Sequence, residues 1–435
     1  MTSPPATPLT ALPASERIEG LDLARGIALL GIALVNTRFF LWPFPQAFTT
    51  DDLLPEVDRT TADLVVASFV ESFCTFKFVT LFSLLFGFGI ATQIARASAA
   101  GQSRWRTGMR RMGFLAVIGL MHGLGVWYGD ILFFYSIAGV VLLAIGNWSS
   151  RALRRVFVII ASIMLLMALA GSVAQFVFAD QVATAMATSR SAAPADIATA
   201  SDSPPLRGLD AVLDVASNPP ESQQWLDAET AAYRQGPLID ALAFRAFSFF
   251  FFLAIAPMGW GWTTLMLMAL GMYAFRTGLF GPTPEATPRR RRIIRLGLGV
   301  GVPSGILASL GFWLFGTEAP IALAMHGFFL SLSSIALPPA YACAAVEYAG
   351  ALPRVVAVAL ERTGRMALTG YLMTSMLMTA LAYWWGGALF ARVFDARASA
   401  IAVFVWCIVV GFSSVWLGRF AMGPMERLWR AVTYA

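Results

Sequence analysis

The stretch ADLVVASFVESFCTFKFVTLFSLLFGFGIATQIA, residues 62–95, decides the class of the fold. A helix needs roughly 20 apolar residues to cross a hydrocarbon core of about 30 Å, and this stretch exceeds that length. Similar runs recur along all 435 residues, of which 58% are hydrophobic and 13% are charged. Soluble domains carry about 25% charged residues, so the composition excludes an ordinary soluble protein. Because lipid offers the backbone no hydrogen-bond partners, the sequence predicts an all-α, polytopic transmembrane helical bundle.

Ten membrane spans are predicted along the chain. The second is long enough to be tilted or broken, and the sixth contains Pro257, where we expect a kink because proline lacks the N–H that continues a helix. The ten predicted spans are residues 26–42, 62–95, 112–127, 131–147, 156–178, 243–275, 293–315, 321–348, 366–390 and 401–420.

Arginines in the loops set the expected orientation. The loops after spans 2, 4, 6 and 8 and the C-terminal segment are rich in arginine, whereas the other loops are acidic or poor in arginine. Basic loops stay in the cytoplasm, so an even number of spans with cytoplasmic N and C termini is predicted. This pattern accounts for the net charge of +6. Nucleic-acid binding is not expected, since no groove-reading or base-stacking motif accompanies the charge.

The span pattern divides the chain into four parts. Residues 1–20 are expected to form a disordered cytoplasmic tail, without a cleaved signal peptide. Residues 21–178 and 241–435 are predicted to be two five-span halves of one membrane domain, and residues 179–240 an extracytoplasmic loop. Within that loop Trp225, Ala228 and Ala232 have helical spacing, so a helix is predicted there that would lie over the outer mouth as a lid.

Ionisable side chains within spans are candidates for function, because each costs roughly 2.5–3.5 kcal/mol to insert. Glu71 and Lys77 lie in the second span, and Lys77 is the only lysine in the sequence. Six positions place them about 240° apart around an ideal helix, so a direct pair is expected only if the helix breaks between them. Alternatively, each of them pairs with another span and fixes the packing.

Both histidines, His122 and His326, lie near the outer ends of their predicted spans. A histidine in a span often has a packing role, but an imidazole is also suited to removing a proton from a hydroxyl at neutral pH. At the inner end of the first span, Asp22 and Arg25 form either an interfacial ion pair or part of a site for a phosphorylated cytoplasmic donor. Asn36, further along the same span, is a candidate for interhelical hydrogen bonding.

Other motifs narrow the choice of chemistry. The glycines within residues 85–89 and 119–125 favour close helix packing, and no strand precedes them as a dinucleotide site would require. No GxSxG, P-loop or HExxH motif occurs. The three cysteines are far apart and have no metal-ligand spacing, so neither a metal site nor a disulfide framework is predicted.

Several blocks of sequence together resemble the YeiB-like bacterial membrane proteins, the family of domain of unknown function 418. This resemblance extends from end to end of the chain and implies a multi-pass protein of the bacterial inner membrane. It is carried by RI at 17–18, LDLARGIALLGI at 21–32, VN at 35–36, KFVTLFSLLFG at 77–87, His122 with GDIL at 129–132, GRMALT at 364–369 with Tyr371, Leu372 and Ser375, and GPMERLWR at 423–430.

The first-span pattern of this family is similar to that of integral-membrane acyltransferases, including heparan-glucosaminide N-acetyltransferase relatives and sugar O-acyltransferases. The similarity implies transfer of an acyl group from cytoplasmic acyl-CoA to a sugar or glycan across the membrane. Acyl-CoA would then be a co-substrate, and no permanently bound cofactor is expected. His122 would be the catalytic base, oriented by Asp130 or Glu71. The donor site would be formed by Arg25, Asp22 and Asn36.

A transporter of a small solute or lipid precursor is the alternative reading. Ten spans permit two inverted five-span halves, in which spans 3 and 8 correspond. Met121-His122-Gly123 and Met325-His326-Gly327 occupy those two spans. A structural or regulatory protein without turnover is a third reading. The expected partners are the lipid bilayer and a small-molecule or glycan substrate, with a homodimer as one option for assembly.

Overall fold

A computed structural model describes residues 18–48, 59–179, 181, 207–217, 219, 220, 222–317 and 319–434. Throughout these ranges the chain forms helices joined by turns and short irregular segments, and they contain no β-strand. The predicted all-α, polytopic bundle is therefore confirmed. Residues 1–17 of the predicted tail and the first part of the predicted loop 179–240 lie outside the described residues.

Sixteen helices of six or more residues follow one another through the described ranges. The first eight are α1 Glu19–Leu41, α2 Thr61–Phe73, α3 Lys77–Ala99, α4 Arg104–Gly125, α5 Leu132–Ala144, α6 Ser150–Val177, α7 Gly208–Leu213 and α8 Gln223–Gln235. The second eight are α9 Leu238–Ile255, α10 Trp260–Arg276, α11 Ala286–Phe315, α12 Pro320–Tyr348, α13 Arg354–Arg365, α14 Ala367–Ala382, α15 Asp395–Arg419 and α16 Pro424–Tyr434.

Seven segments of the described chain are long and apolar enough to cross a membrane. The other three predicted spans correspond to α4 and to two shorter apolar helices, so each of the ten has a helical counterpart in the expected order. The count of ten, the cytoplasmic termini and the division into two halves stay predictions. The seven long segments are Glu19–Leu41, Thr61–Ala99, Ser150–Val177, Leu238–Met258, Ala286–Phe315, Pro320–Ala351 and Asp395–Arg419.

Two of the predicted spans are interrupted. Between α2 and α3 the helix breaks at residues 74–76, where Phe76 adopts a left-handed backbone conformation with φ of 60°. L-residues with a side chain rarely adopt this conformation. Between α9 and α10 the break falls at Ala256–Met258, around Pro257, so the predicted kink in the sixth span is confirmed. Both breaks turn the chain within an otherwise continuous apolar run.

Helix α6 has an exposed apolar surface. Only 11% of its most apolar window is buried, although this helix has the highest mean hydropathy of the seven. It exposes a series of large apolar side chains that includes Ile159, Leu166 and Phe176. An exposed apolar surface of this extent is unfavourable in water and favourable against lipid tails. We therefore place α6 at the lipid-facing periphery of the bundle.

Helix α1 lies at the centre and packs against α2, α3, α12, α13, α14 and α15. Small residues make these approaches close. A methyl group added at Gly26 would overlap the backbone of Leu360, and one added at Gly364 would overlap the carbonyl oxygen of Asp22. The α1–α13 crossing therefore depends on a glycine from each helix, as expected for helix contacts in membranes.

A second reciprocal glycine contact joins α3 and α10. A methyl group at Gly87 would overlap the carbonyl oxygen of Met268, and one at Gly271 would overlap that of Leu84. Gly89 lies on the same helix as Gly87, but no atom outside its own helix backbone lies within 4 Å of the position of an added methyl group. The predicted close packing of the glycine-rich stretch 85–89 is thus carried by Gly87.

Gly87→Ala should destabilise the protein by about 1–3 kcal/mol, because overpacking forces two helix backbones apart. Gly89→Ala is the matched control, and its added methyl group should be neutral or stabilise the helix by up to about 1 kcal/mol. Thermal unfolding of the purified variants in detergent, followed by size-exclusion chromatography, measures both effects. Equal thermal midpoints for the two variants would contradict this account of the α3–α10 contact.

Helix α8 confirms the helix predicted in the loop. Trp225, Ala228 and Ala232 are buried, and they join an aromatic cluster that includes Phe40 and Trp127. Because α8 closes one end of α1 and of the α4–α5 turn, we call it, together with the start of α9, the outer cap. A role of this cap as a movable lid stays a prediction.

Two buried polar side chains hold the outer cap in place. Glu229 of α8 is completely buried, and its carboxyl group accepts a hydrogen bond from the backbone N–H of Phe44, 3.1 Å away. Arg245 of α9 is also buried and donates to the carbonyl oxygen of Gly125 at 2.6 Å. Its guanidinium lies 5.3 Å from the ring centre of Tyr383, a favourable cation–π distance. The cap is therefore fixed to the last turn of α4.

Burial raises the pKa of the Glu229 carboxyl to about 8, since removing the charged form from water is costly. The folded chain thus holds this proton more tightly than the unfolded chain does. Stability linked to Glu229 should be highest below about pH 4.5, the ordinary value, and should fall as the pH rises to about 8.

Glu229→Gln should remove this pH dependence, because glutamine has the same shape and cannot ionise. Its free energy of unfolding should exceed that of the wild type increasingly between about pH 5 and about pH 8, by an amount on the order of a few kcal/mol. The thermal midpoints of the two proteins, measured across this pH range, should diverge in the same direction. Asp227→Asn, an exposed change on the same helix, is the control. If the difference between Glu229→Gln and wild type is the same at every pH, Glu229 is not protonated in the folded cap.

Candidate functional site

His122 and Asp130 are brought together by the turn between α4 and α5. His122 lies in the last turn of α4, and its carbonyl oxygen accepts the N–H groups of Val126 and Trp127, which end the helix. The chain then turns through Gly129, and Nδ1 of His122 lies 2.8 Å from Oδ2 of Asp130. The other oxygen of Asp130 accepts the N–H of Phe133 at 2.8 Å, in the first turn of α5. The carboxylate therefore joins the histidine to a helix N-terminus.

This arrangement fixes the tautomer of the imidazole. An ionised carboxylate only accepts, so Nδ1 of His122 carries the proton that lies between the two groups. Nε2 of the neutral ring then has a lone pair, and no described group within hydrogen-bonding distance uses it. A buried histidine oriented by a carboxylate with its second nitrogen unpartnered has the geometry of a general base.

The space for the dyad comes from Gly119, one turn before His122. A methyl group at Gly119 would crowd Oδ1 of Asp130 and the backbone of Phe133. The rings of Tyr371 and Trp127 pack beside the imidazole, with centres 5.2 Å and 6.4 Å away. The glycines in the stretch 119–125, which the sequence pointed to only for packing, thus also shape the site.

A cavity of about 1010 Å³ lies next to this dyad. Asp130, Trp127 and Tyr371, three residues in contact with His122, line its wall. His122 itself is 3% exposed. The cavity is therefore separated from the imidazole only by the immediate neighbours of the dyad. The other polar residues that line it include Asn36, Arg38, Arg59, Glu71, Thr75, His326 and Asp395.

Glu71, the second carboxylate considered as an orienting partner for His122, lies instead beside the other histidine. Its Oε1 is 3.5 Å from Nε2 of His326, and its Oε2 accepts the hydroxyl of Thr75 at 2.8 Å. The reason is the break between α2 and α3, which directs the last turn of α2 towards α12. Asp130 is the carboxylate in contact with His122.

The same break brings Lys77 back to Glu71. The ammonium of Lys77 donates to the backbone carbonyl oxygen of Glu71 at 2.8 Å, and its side chain is completely buried. The sequence predicted such a contact only if the helix were interrupted between the two residues, and the interruption is present. Lys77 does not line the cavity.

The residues proposed for the donor divide into two places. Asp22 and Arg25 form an ion pair near the start of α1, where α13 crosses, and they do not line the cavity. Asn36 does line it, eleven residues beyond Arg25 and fourteen beyond Asp22, or about 16 to 21 Å along α1 at 1.5 Å per residue. A donor in contact with all three would have to extend along this length of α1.

Sequence reasoning missed an ion cluster at the end of α1. Oδ1 of Asp395 lies 2.8 Å from Nε of Arg38, and Oδ2 lies 3.3 Å from Nη2 of Arg59. Asp63 accepts the N–H of Ala396 beside them at 2.8 Å. Arg38 and Asp395 are 357 positions apart, so no local pattern announces the pair. Tyr371 was noticed only as part of a motif, and its contact with His122 depends on the packing of α14 against the α4–α5 turn.

Comparisons with known proteins identify relatives along most of the chain. Residues 274–435 match the family model described as protein of unknown function, DUF418. Uncharacterized protein YxaH of Bacillus subtilis is 26% identical over 97% of this chain and 95% of its own length. Uncharacterized protein YeiB of Escherichia coli is 25% identical over 96% of each chain. An uncharacterized 39.9 kDa protein of Bacillus acidopullulyticus is 34% identical over 29% of this chain and 34% of its own length. No solved structure matches.

Proposed function

We propose that this chain, a YeiB-like member of the DUF418 family, is an integral-membrane acyltransferase acting on a sugar or glycan hydroxyl. The observation that carries the proposal is the His122–Asp130 dyad, with an unpartnered Nε2 one residue layer from a large cavity. The acyl donor would be cytoplasmic acyl-CoA. The bacterial origin of the relatives supports a location in the bacterial inner membrane. A homodimer stays a prediction.

The chemistry requires a base for the acceptor. In the proposed reaction Nε2 of His122 removes the proton of the acceptor hydroxyl while its oxygen attacks the thioester carbonyl carbon. A C–O bond forms, the C–S bond breaks, and the proton passes from His122 to the departing thiolate, which leaves as free CoA. Asp130 holds Nδ1–H and stabilises the imidazolium that forms between these steps.

Tyr371 is suited to stabilising the developing oxyanion. Its hydroxyl oxygen accepts the backbone N–H of Ile131 at 3.3 Å, so its own proton is available to a ligand in the cavity. A hydroxyl of a residue that contacts the base and lines the cavity could donate to the carbonyl oxygen as negative charge develops there. Arg25 and its neighbours would bind the phosphates of the donor at the inner end of α1.

The test is acyl-CoA turnover by the purified full-length chain in lipid nanodiscs. Acetyl-CoA and palmitoyl-CoA are offered with a panel of monosaccharides, and free CoA thiol is measured. His122→Ala should lower the rate by about 10²–10⁴, and Asp130→Asn should also lower it because the tautomer is no longer fixed. Gly89→Ala is the active control.

If no turnover is seen, a measurement of donor binding distinguishes a panel that lacks the right acceptor from a protein that is not an acyltransferase. Calorimetric titration with acetyl-CoA and palmitoyl-CoA should give the same affinity for wild type and His122→Ala, since the imidazole acts on the acceptor. If neither donor binds, or if His122→Ala keeps the wild-type rate, the acyltransferase proposal fails.

Transport of a small solute or lipid precursor is the second candidate, and the two interrupted helices favour it. Thr75 and Phe76 at one break and Ile255 and Gly259 at the other all line the same cavity. Discontinuous helices around a shared binding space are typical of secondary transporters. Solute-dependent uptake into proteoliposomes that survives His122→Ala, without release of CoA, would select transport over acyl transfer.

A further inference from the structure

Glu71 and His326 form a second titratable pair in the cavity, separate from His122 and Asp130. Both side chains are partly exposed, 22% and 25%, and both line the cavity wall. They come from α2 and α12, and the helix break at residues 74–76 follows Glu71 within one turn. An ionisable pair within membrane spans is costly to maintain, so it is retained where it has a partner and a task.

The hydrogen bonds around the ring determine where its protons lie. Nδ1 of His326 faces the carbonyl oxygen of Ala308 at 3.3 Å, and a carbonyl only accepts, so Nδ1 carries a proton. Nε2 faces Oε1 of Glu71 at 3.5 Å. Two lone pairs opposed at this distance would repel, so one further proton lies between the imidazole and the carboxylate.

Two further groups contact Glu71. Its Oε2 accepts the hydroxyl of Thr75 at 2.8 Å. The buried ammonium of Lys77 donates a hydrogen bond to the backbone carbonyl oxygen of Glu71 and places a positive charge near its side chain. With Glu71 ionised, the shared proton belongs to Nε2, and His326 is an imidazolium. Phe312 packs against the ring, 4.9 Å between centres, and holds it in this orientation.

From this geometry we infer that Glu71 and His326 form a proton-transfer site that exchanges one proton with ligands in the cavity. Release of the Nε2 proton to a basic group of a ligand leaves a neutral imidazole, still protonated at Nδ1, and an ionised Glu71 compensated by Lys77. The proton returns from water or from the product, so no other reactant is needed. The site is independent of acyl transfer by His122 and serves a proton-coupled transporter equally well.

The experiment uses the fact that the chain has only two histidines. Full-length protein labelled with ¹⁵N-histidine is placed in nanodiscs of a single phospholipid at pH 7, and its imidazole nitrogens are observed by NMR. His122→Gln and His326→Gln assign the two rings. In the wild type, both nitrogens of His326 should carry protons. The Nε2 proton should exchange with D₂O faster than the Nδ1 proton, because Nε2 lies beside Glu71, a residue of the cavity wall, at 3.5 Å, whereas Nδ1 faces the backbone carbonyl of Ala308.

Glu71→Gln should convert His326 to the neutral form protonated at Nδ1 and leave the signals of His122 unchanged. Asp130→Asn should change the signals of His122 and leave those of His326 unchanged. A neutral His326 in the wild type, protonated at either nitrogen, or His326 signals that Glu71→Gln does not change, would overturn the inference. The wild-type spectrum decides the first point even if Glu71→Gln fails to fold, and neither result depends on acyl-CoA turnover.

Discussion

Lipid cannot form hydrogen bonds, and this constraint governs the molecule more than any single contact does. Each backbone N–H and C=O at membrane depth has to find its partner inside the protein, which is why the described segments are helical. The same constraint acts on side chains. Lys77 donates to a backbone carbonyl, and Asp130 divides its two oxygens between a histidine and a helix N-terminus. Polar side chains at membrane depth therefore find their hydrogen-bond partners inside the protein.

Helix interruptions and glycines create that space and its walls. Where Gly87 meets Met268 and Gly364 meets Asp22, backbones approach as closely as atoms allow, and no cavity forms there. The breaks between α2 and α3 and between α9 and α10 interrupt regular helix packing, and residues at both breaks line the cavity. Glycine contacts thus bring helices together tightly, whereas helix breaks leave open space between them.

Sequence reasoning could predict the features that depend on local pattern. Apolar runs predicted the spans, Pro257 predicted a kink, and helical spacing predicted α8. Asp130, eight positions after His122, was one of the two carboxylates considered as its partner, and the structure selects it over Glu71. The length of the second span allowed a break, but its position at Phe76 could not be predicted, because neither glycine nor proline lies beside this left-handed residue. The contacts of Glu71 with His326 and of Arg38 with Asp395 join helices distant in sequence, so no spacing rule can reveal them.

The depth of the dyad follows from helix length. With thirteen residues, α5 rises about 20 Å, well short of a hydrocarbon core of about 30 Å. The turn that carries Asp130 therefore cannot reach the membrane surface if the other end of α5 lies near the opposite interface. The outer cap lies against the same turn, since Arg245 donates to the carbonyl oxygen of Gly125 in the last turn of α4. A short helix and a packed cap thus keep the histidine–carboxylate pair inside the protein, where exclusion of water strengthens the electrostatic interaction between Asp130 and the imidazole.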